Sequence, residues 1–333
     1  MDKIDFVILW VDGSDPEWQR QREYFSAPED NNGTDENRFR EWGLLRYWFR
    51  GVERYAPWVN RVFLVTNGQV PNWINREHPK LRLVRHEEYI PKRYLPTFNS
   101  NVIELWLHQI PDLGEHFVLF NDDMYLTAPV KPEDFFRKGL PCDSAVMDLV
   151  TTPGPEDCLP HMQINNFALI NRHFNKKKVL RKNMGKFFAP VYGSGLIRNF
   201  LLLPFQYFSC FRDSHLPSSY LKETFFRVWG QEGEKLEACG AHRFRSKSDV
   251  THWLFKCWQI CEGNFAVRSA RWGHHFELWE DDLEEICRSL KKQKYHAVCL
   301  NDSKMDIDFE VARKRLSECF ETIFPDMSEF EKR

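Results

Sequence analysis

An α/β fold, a mostly parallel sheet flanked by helices with a more helical C-terminal half, is predicted by three features of the 333-residue sequence. Short apolar runs rich in β-branched and aromatic residues recur through the first half of the chain. A strongly amphipathic stretch separates the first two, and strand–helix–strand order with short links implies parallel pairing. The second half loses that rhythm and shows helical patterns instead.

The elements follow in order. Ile4, Phe6, Val7, Ile8, Leu9, Trp10 and Val11 form a run too short to span a membrane and read as a buried strand. Asp12, Gly13, Ser14, Asp15 and Pro16 then make a turn at the carboxyl end of that strand, where open α/β sheets place their ligands. Capping of the turn and of the next helix is an equally simple use for the two aspartates. Residues 27–38, APEDNNGTDENR, are acidic and aperiodic, and a mobile surface loop is expected there. In FREWGLLRYWFRGVERYAPW the positions Trp42, Leu45, Trp48, Phe49 and Val52 recur at helical spacing. Val62 to Val65 is the second strand, ending in the turn Thr66-Asn67-Gly68-Gln69, and LRLVRHEEYIP holds a shorter third. SNVIELWLHQIPDL reads as a helix. HFVLFNDDMYLTAPV reads as a fourth strand that runs straight into Asn121, Asp122 and Asp123.

Beyond residue 150 the chain is expected to complete the same single domain, built of two halves, 1–150 and 151–333. The basic stretch KKKVLRKNMGKFF (176–188) and the apolar FLLLPFQYFSCF (200–211) admit two readings: a surface helix beside a core segment, or a site lying against a membrane or a lipid-linked substrate. Near the C-terminus Phe309, Ala312, Leu316, Cys319, Phe320 and Ile323 make one apolar stripe, the mark of a packing helix.

Composition narrows the function. A net charge of −2 with interspersed signs argues against a nucleic-acid partner. The nine cysteines are scattered without a CxxC pair, so neither a zinc site nor a disulfide framework is indicated, and reduced thiols fit a cytoplasmic protein. No secretory leader and no run of ~18 apolar residues is evident.

Candidate chemistry lies at the strand ends. Asp122 and Asp123 follow the apolar run Phe117–Phe120, where an unpaired carboxylate is costly and a hard divalent cation is an economical partner. In FRDSHLPSSY, Asp213 and His215 precede Pro217, so the imidazole sits on non-helical backbone suited to general-base work or phosphate contact; a solvated loop histidine is the plainer alternative. In AHRFRSKSDVTHW, Arg245 offers a planar fork for phosphate oxygens, or else a surface ion pair with Asp249 one helical turn on. Asn301 and Asp302 end another short apolar run and could complete a metal or phosphate site, or simply form a turn.

Taken together, IDFVILWVDGSDPEW, LLRYWFRGVERYAPWVNRVFLVTNGQVPNW, LPTFNS, FVLFNDDMYL, SHLP, FRSKSD and CLND resemble, in order, the conserved regions of the Stealth family. These are sugar-1-phosphate transferases that include bacterial capsular polysaccharide phosphotransferases and the catalytic subunit of the lysosomal-enzyme N-acetylglucosamine-1-phosphotransferase. The resemblance implies a Rossmann-like, glycosyltransferase-type core with Mg²⁺ or Mn²⁺ as cofactor. Its substrates would be a nucleotide-sugar donor, such as a UDP-sugar, and a glycan acceptor, free or lipid-linked. Carried over by position, it implies catalytic roles for Asp12, Asp122, His215 and Arg245, with His215 as the expected base. It further implies substrate contacts from Asp15, Asn67, Gln69, Asn99, Asn121, Asn166 and Asn301, and metal ligation by Asp123 and Asp302. Peripheral contact with the inner face of the plasma membrane is a further expectation. The rival readings are a metal-dependent glycosyltransferase that releases a nucleoside diphosphate, and an inactive carbohydrate-binding protein.

Overall fold

The computed structural model describes residues 3–26 and 39–332, apart from 153, 156, 280 and 303–307. The loop expected over residues 27–38 lies outside the described residues. In chain order the elements are β1 (Ile4–Leu9), α1 (Pro16–Phe25), α2 (Leu45–Tyr55), β2 (Val62–Thr66), β3 (Leu81–Arg85), α3 (Ser100–Leu105), β4 (His116–Phe120) and β5 (Met124–Leu126). Then come α4 (Pro132–Phe135), β6 (Phe136–Arg137), β7 (Leu140–Asp143), β8 (Met147–Asp148), α5 (Cys158–His173), α6 (Lys176–Lys182), α7 (Met184–Phe187) and α8 (Gly195–Leu201). The chain closes with β9 (Cys210–Phe211), β10 (Ser218–Leu221), α9 (Lys222–Gly240), α10 (Trp253–Glu262), β11 (Ala266–Val267), β12 (Gly273–Glu277), α11 (Leu283–Lys291), β13 (Ala297–Asn301) and α12 (Phe309–Ile323).

The central sheet has the order β10-β4-β1-β2-β3. Its pairs β4–β1, β1–β2 and β2–β3 are parallel, and only the edge strand β10 runs antiparallel. Side chains alternate across β1: Phe6 and Ile8 join a core with Trp48, Phe49 and Phe320, whereas Val7 joins the opposite core with Val102, Phe225 and Phe255. Helices α2 and α12 therefore cover one face, and α3, α9 and α10 the other. Burial on both faces is why these strands read as continuous apolar runs.

The fourth predicted strand is two. Asn121, Asp122 and Asp123 break it, with the Met124 amide donating to the Asn121 carbonyl at 3.1 Å, and β5 leaves the main sheet to pair antiparallel with β13 beside β12. The predicted helix from Ser100 is shorter than its apolar pattern: α3 stops at Leu105, and a single 3₁₀ turn, Leu107–Gln109, leads to Pro111. All nine cysteines are buried thiols. Among the described residues, no helix is long and apolar enough to cross a membrane.

Candidate active site

The carboxyl ends of β1, β2 and β4 open into a cleft of about 1310 Å³, where strand order reverses around β1. Asn67, Asn121, Asp122, Asp123, His215, Arg245, Asn301 and Asp302 all line it. Strand-end and loop residues that the sequence scatters over 236 positions thus meet in one cleft.

Its floor is a cluster of Asp123, His215 and Cys299, whose ligand atoms lie within 4.8 Å of one another. The Cys299 thiol donates to Asp123 Oδ2 at 3.2 Å, and His215 Nε2 stands 3.6 Å from the same oxygen. Asp123 Oδ1 is buried without a hydrogen-bond partner. A buried carboxylate oxygen left so is expensive, and a cation would satisfy it. The three residues therefore form a set that can hold a metal ion.

His215 is held there against its backbone preference. Its φ is 45°, a left-handed conformation that strains most non-glycine residues, and its amide donates to Asp213 Oδ2 at 3.2 Å. Lys256 fixes Asp213 from behind, with Nζ 3.1 Å from Asp213 Oδ1 and 3.5 Å from Asp143 Oδ1. Burial disfavours the imidazolium, yet Cys299 and the carboxylates of Asp123 and Asp213 outweigh it and raise His215 well above its ordinary value. Burial likewise pushes Asp123 up, but the His215 imidazole and the Cys299 thiol more than offset it and hold the carboxyl low. Asp122 moves the other way. It is open to the solvent of the cleft yet ringed by protein, and desolvation with the charges of Asp123 and Glu41 raises it to about 8.

The walls carry groups that no local pattern announces. His275, on β12, has its ring 5.4 Å from that of His215 and its Nε2 2.7 Å from Glu277 Oε1. Glu277 in turn accepts both hydrogen bonds of the Asn301 amide, at 2.9 and 3.1 Å. Trp10 Nε1 donates to Glu41 at 2.7 Å, and His252 Nδ1 lies 2.6 Å from Glu104. Arg245 reaches the Ser100 hydroxyl at 2.7 Å. Asp302, expected as a second metal ligand, stands on the wall with Oδ2 3.4 Å from Arg40 Nη1, apart from the Asp123 cluster.

The remaining expected site residues build the cleft without lining it. Asp15 caps α1, accepting from the Trp18 amide at 2.8 Å. The Asp12 carboxylate accepts from the Ser14 amide and hydroxyl. The Gln69 amide clasps the Asp12 backbone at both its N–H and its C=O, at 2.8 and 3.0 Å, and so ties the loop after β1 to the loop after β2. Gly13 lets that loop pass close to Phe39: a Cβ there would fall 1.9 Å from the Phe39 carbonyl oxygen. Asn99 is fully buried, caps α3 and donates to Asp249 and to the His242 and Phe244 carbonyls. Asn166 is buried too, exchanging hydrogen bonds with Thr251. Their polar atoms are consumed in holding α3, α5 and the 242–251 segment together. The Asp249 carboxylate, offered above as a surface partner for Arg245, is buried and receives four other donors: His242, Asn99, Asn101 and the Ser246 amide.

Comparison with known proteins adds to this geometry. Residues 2–27 match Stealth protein CR1, conserved region 1, and residues 38–142 match Stealth protein CR2, conserved region 2. The chain is 41% identical to the capsular polysaccharide phosphotransferase WcwK of Streptococcus pneumoniae, over 100% of this chain and 99% of the relative. It is 40% identical to the exopolysaccharide phosphotransferase cps2G of Lactiplantibacillus plantarum, over 99% and 96% of the two chains. It is also 41% identical to the receptor polysaccharide phosphotransferase WefC of Streptococcus gordonii, over 99% of each. Among solved structures, a galactosyltransferase LgtC aligns over 98% of both chains at 10% identity with a TM-score of 0.41.

Proposed function

The chain belongs to the Stealth family, and from that premise we propose that it transfers a sugar-1-phosphate from a nucleotide sugar to a hydroxyl of a glycan acceptor in capsule or cell-surface polysaccharide synthesis. The observation that carries this reading is the similarity over the whole chain to enzymes named as polysaccharide phosphotransferases. We take the donor to be a UDP-sugar and the acceptor to be lipid-linked. Nine buried thiols suit a reducing compartment, which supports action on the cytoplasmic side.

In this reaction the acceptor oxygen attacks the phosphorus that bears the sugar. The pyrophosphate bridge breaks, and a nucleoside monophosphate leaves. The C1–O bond of the sugar is never touched, so anomeric configuration is retained. Phosphoryl transfer needs positioning and charge neutralisation more than covalent help. His215, with its proton held by Asp123 and Asp213, supplies a fixed positive charge to the phosphate. Arg245 adds a planar fork from the cleft wall. Asp122, a carboxylate that lines the cleft beside Asp123 and is pushed up by desolvation, is positioned to take the acceptor proton, a role first expected of His215. Asp123 with its buried, unpartnered oxygen would hold Mg²⁺ or Mn²⁺ together with the substrate phosphates. The bound ion would neutralise pyrophosphate charge.

The test is ³¹P NMR of the purified product. A phosphodiester resonance joining the two sugars supports the proposal, and a product without phosphorus refutes it.

A further inference from the structure

The face formed by α6, α8 and the turn after α8 differs from the rest of the surface. Ile197, Phe200, Leu201, Leu203, Phe205 and Tyr207 are all exposed, between 39% and 70%. Monomeric proteins scatter exposed apolar side chains singly, and a contiguous set marks a place where something else sits. This one is built rather than frayed. The buried Lys176 ammonium donates to the Leu202 and Phe205 carbonyls at 2.5 and 3.0 Å, pinning the start of α6 to the turn after α8. The Asn199 side chain, fully buried, bonds the Ala145 and Phe187 carbonyls and the Met147 amide, so α8 is anchored from beneath while Phe200 and Leu201 face outward.

Charge sharpens the picture. None of the 48 acidic residues lies between positions 158 and 212, where nine lysines and arginines occur, although the whole chain is nearly neutral. Lys177, Lys178, Arg181 and Lys182 are exposed on α6, which the Lys176 contacts set beside the apolar turn. Protein interfaces deplete lysine, whereas aromatic and aliphatic side chains flanked by lysines are the make-up of an interfacial membrane surface. The face also borders the cleft: Tyr192, Gly195 and the exposed Leu149 and Leu159 line it.

We propose that this face seats the protein on a bilayer containing anionic lipids. The apolar side chains of residues 197–207 enter the boundary between headgroups and acyl chains, the cations of α6 lie over the headgroups, and the mouth of the cleft stands at the membrane surface. The inference goes beyond the transfer reaction and holds whichever group the cleft transfers.

The test is co-sedimentation of the purified chain with vesicles of phosphatidylcholine alone and of phosphatidylcholine mixed with phosphatidylglycerol. Binding is expected to the mixed vesicles and to weaken with salt. The variants Phe200→Ser/Leu201→Ser/Phe205→Ser and Lys177→Glu/Lys178→Glu/Arg181→Glu should each lose on the order of tenfold or more of that binding. Both should keep the thermal midpoint and transfer to a water-soluble acceptor. Failure of the wild-type chain to bind mixed vesicles, or equal binding by the variants, would overturn the proposal. So would a wild-type dimer that the apolar variant makes monomeric, since the face would then join two copies.

Discussion

Replacing Asp249 by asparagine should destabilise the protein markedly, whereas Arg245→Lys should leave stability alone and slow transfer. Asp249 is fully buried, and its Oδ1 faces His242 Nδ1 at 2.6 Å. Its Oδ2 accepts from Asn99 at 2.9 Å, Asn101 at 3.3 Å and the Ser246 amide at 3.0 Å. An asparagine keeps the shape but offers one acceptor and one donor, so its NH₂ must point at groups that are themselves donors. Removing a buried charge from such a network costs about 3 kcal/mol, which in a chain of this size lowers the thermal midpoint by roughly 5 °C. Arg245 donates to the Ser100 hydroxyl at 2.7 Å on the cleft wall, a contact that lysine can replace. A point charge cannot reproduce two parallel hydrogen bonds to phosphate, so the rate should fall about a hundredfold. Thermal unfolding followed by circular dichroism, beside transfer rates at saturating donor, separates the two residues. A midpoint for Asp249→Asn within about a degree of wild type would refute the network argument. Full activity in Arg245→Lys would refute the phosphate role.

Three further outcomes are expected. Asp123→Asn should abolish transfer with little change in midpoint, because it removes a hard oxygen charge from a site where one oxygen already lacks a partner; retained turnover would contradict this. Excess chelator should stop transfer, and added Mn²⁺ or Mg²⁺ should restore it, as assayed by nucleotide release. Glu331 should stabilise the fold in a pH-dependent way. Burial alone would raise its pKa, but the Arg50 fork, at 2.7 and 3.0 Å, and the Ser328 amide outweigh burial and lower it. A lowered folded-state pKa means the contribution is complete above the unfolded value near 4.3 and is lost as pH falls through the lower folded value. Glu331→Gln, which leaves Arg50 buried beside a neutral partner, should therefore cost about 3 kcal/mol at neutral pH. The gap in midpoint from wild type should narrow below about pH 4.

The sequence made some of this legible and hid the rest for physical reasons. β1, β2 and β4 are buried on both faces, so their apolar runs stand out, and the stripe from Ala312 to Phe320 announces α12. The split of β4 from β5 did not show, because β5 is fixed by pairing with β13, some 170 residues away, and no local pattern encodes a partner. At the site, aspartates that follow apolar runs were visible because burying a charge is costly. Glu41, Cys299 and the His275–Glu277 pair were not: Glu41, His275 and Glu277 reach the cleft and Cys299 meets Asp123 only through tertiary packing, each in an unremarkable local context. Asn99 and Asn166 show the converse. Motif membership marks a residue as required without saying whether it meets substrate or, as here, ties α3 and α5 to the 242–251 segment.

The central claim concerns which bond breaks, and the nucleotide released reports it directly. The purified chain is incubated with a UDP-sugar donor, a glycan acceptor and divalent cation, and the nucleotides are resolved by anion-exchange chromatography. Attack at the sugar-bearing phosphorus predicts UMP, formed in step with loss of acceptor. Stoichiometric UDP would mean that the C1–O bond had broken instead, and would contradict sugar-1-phosphate transfer.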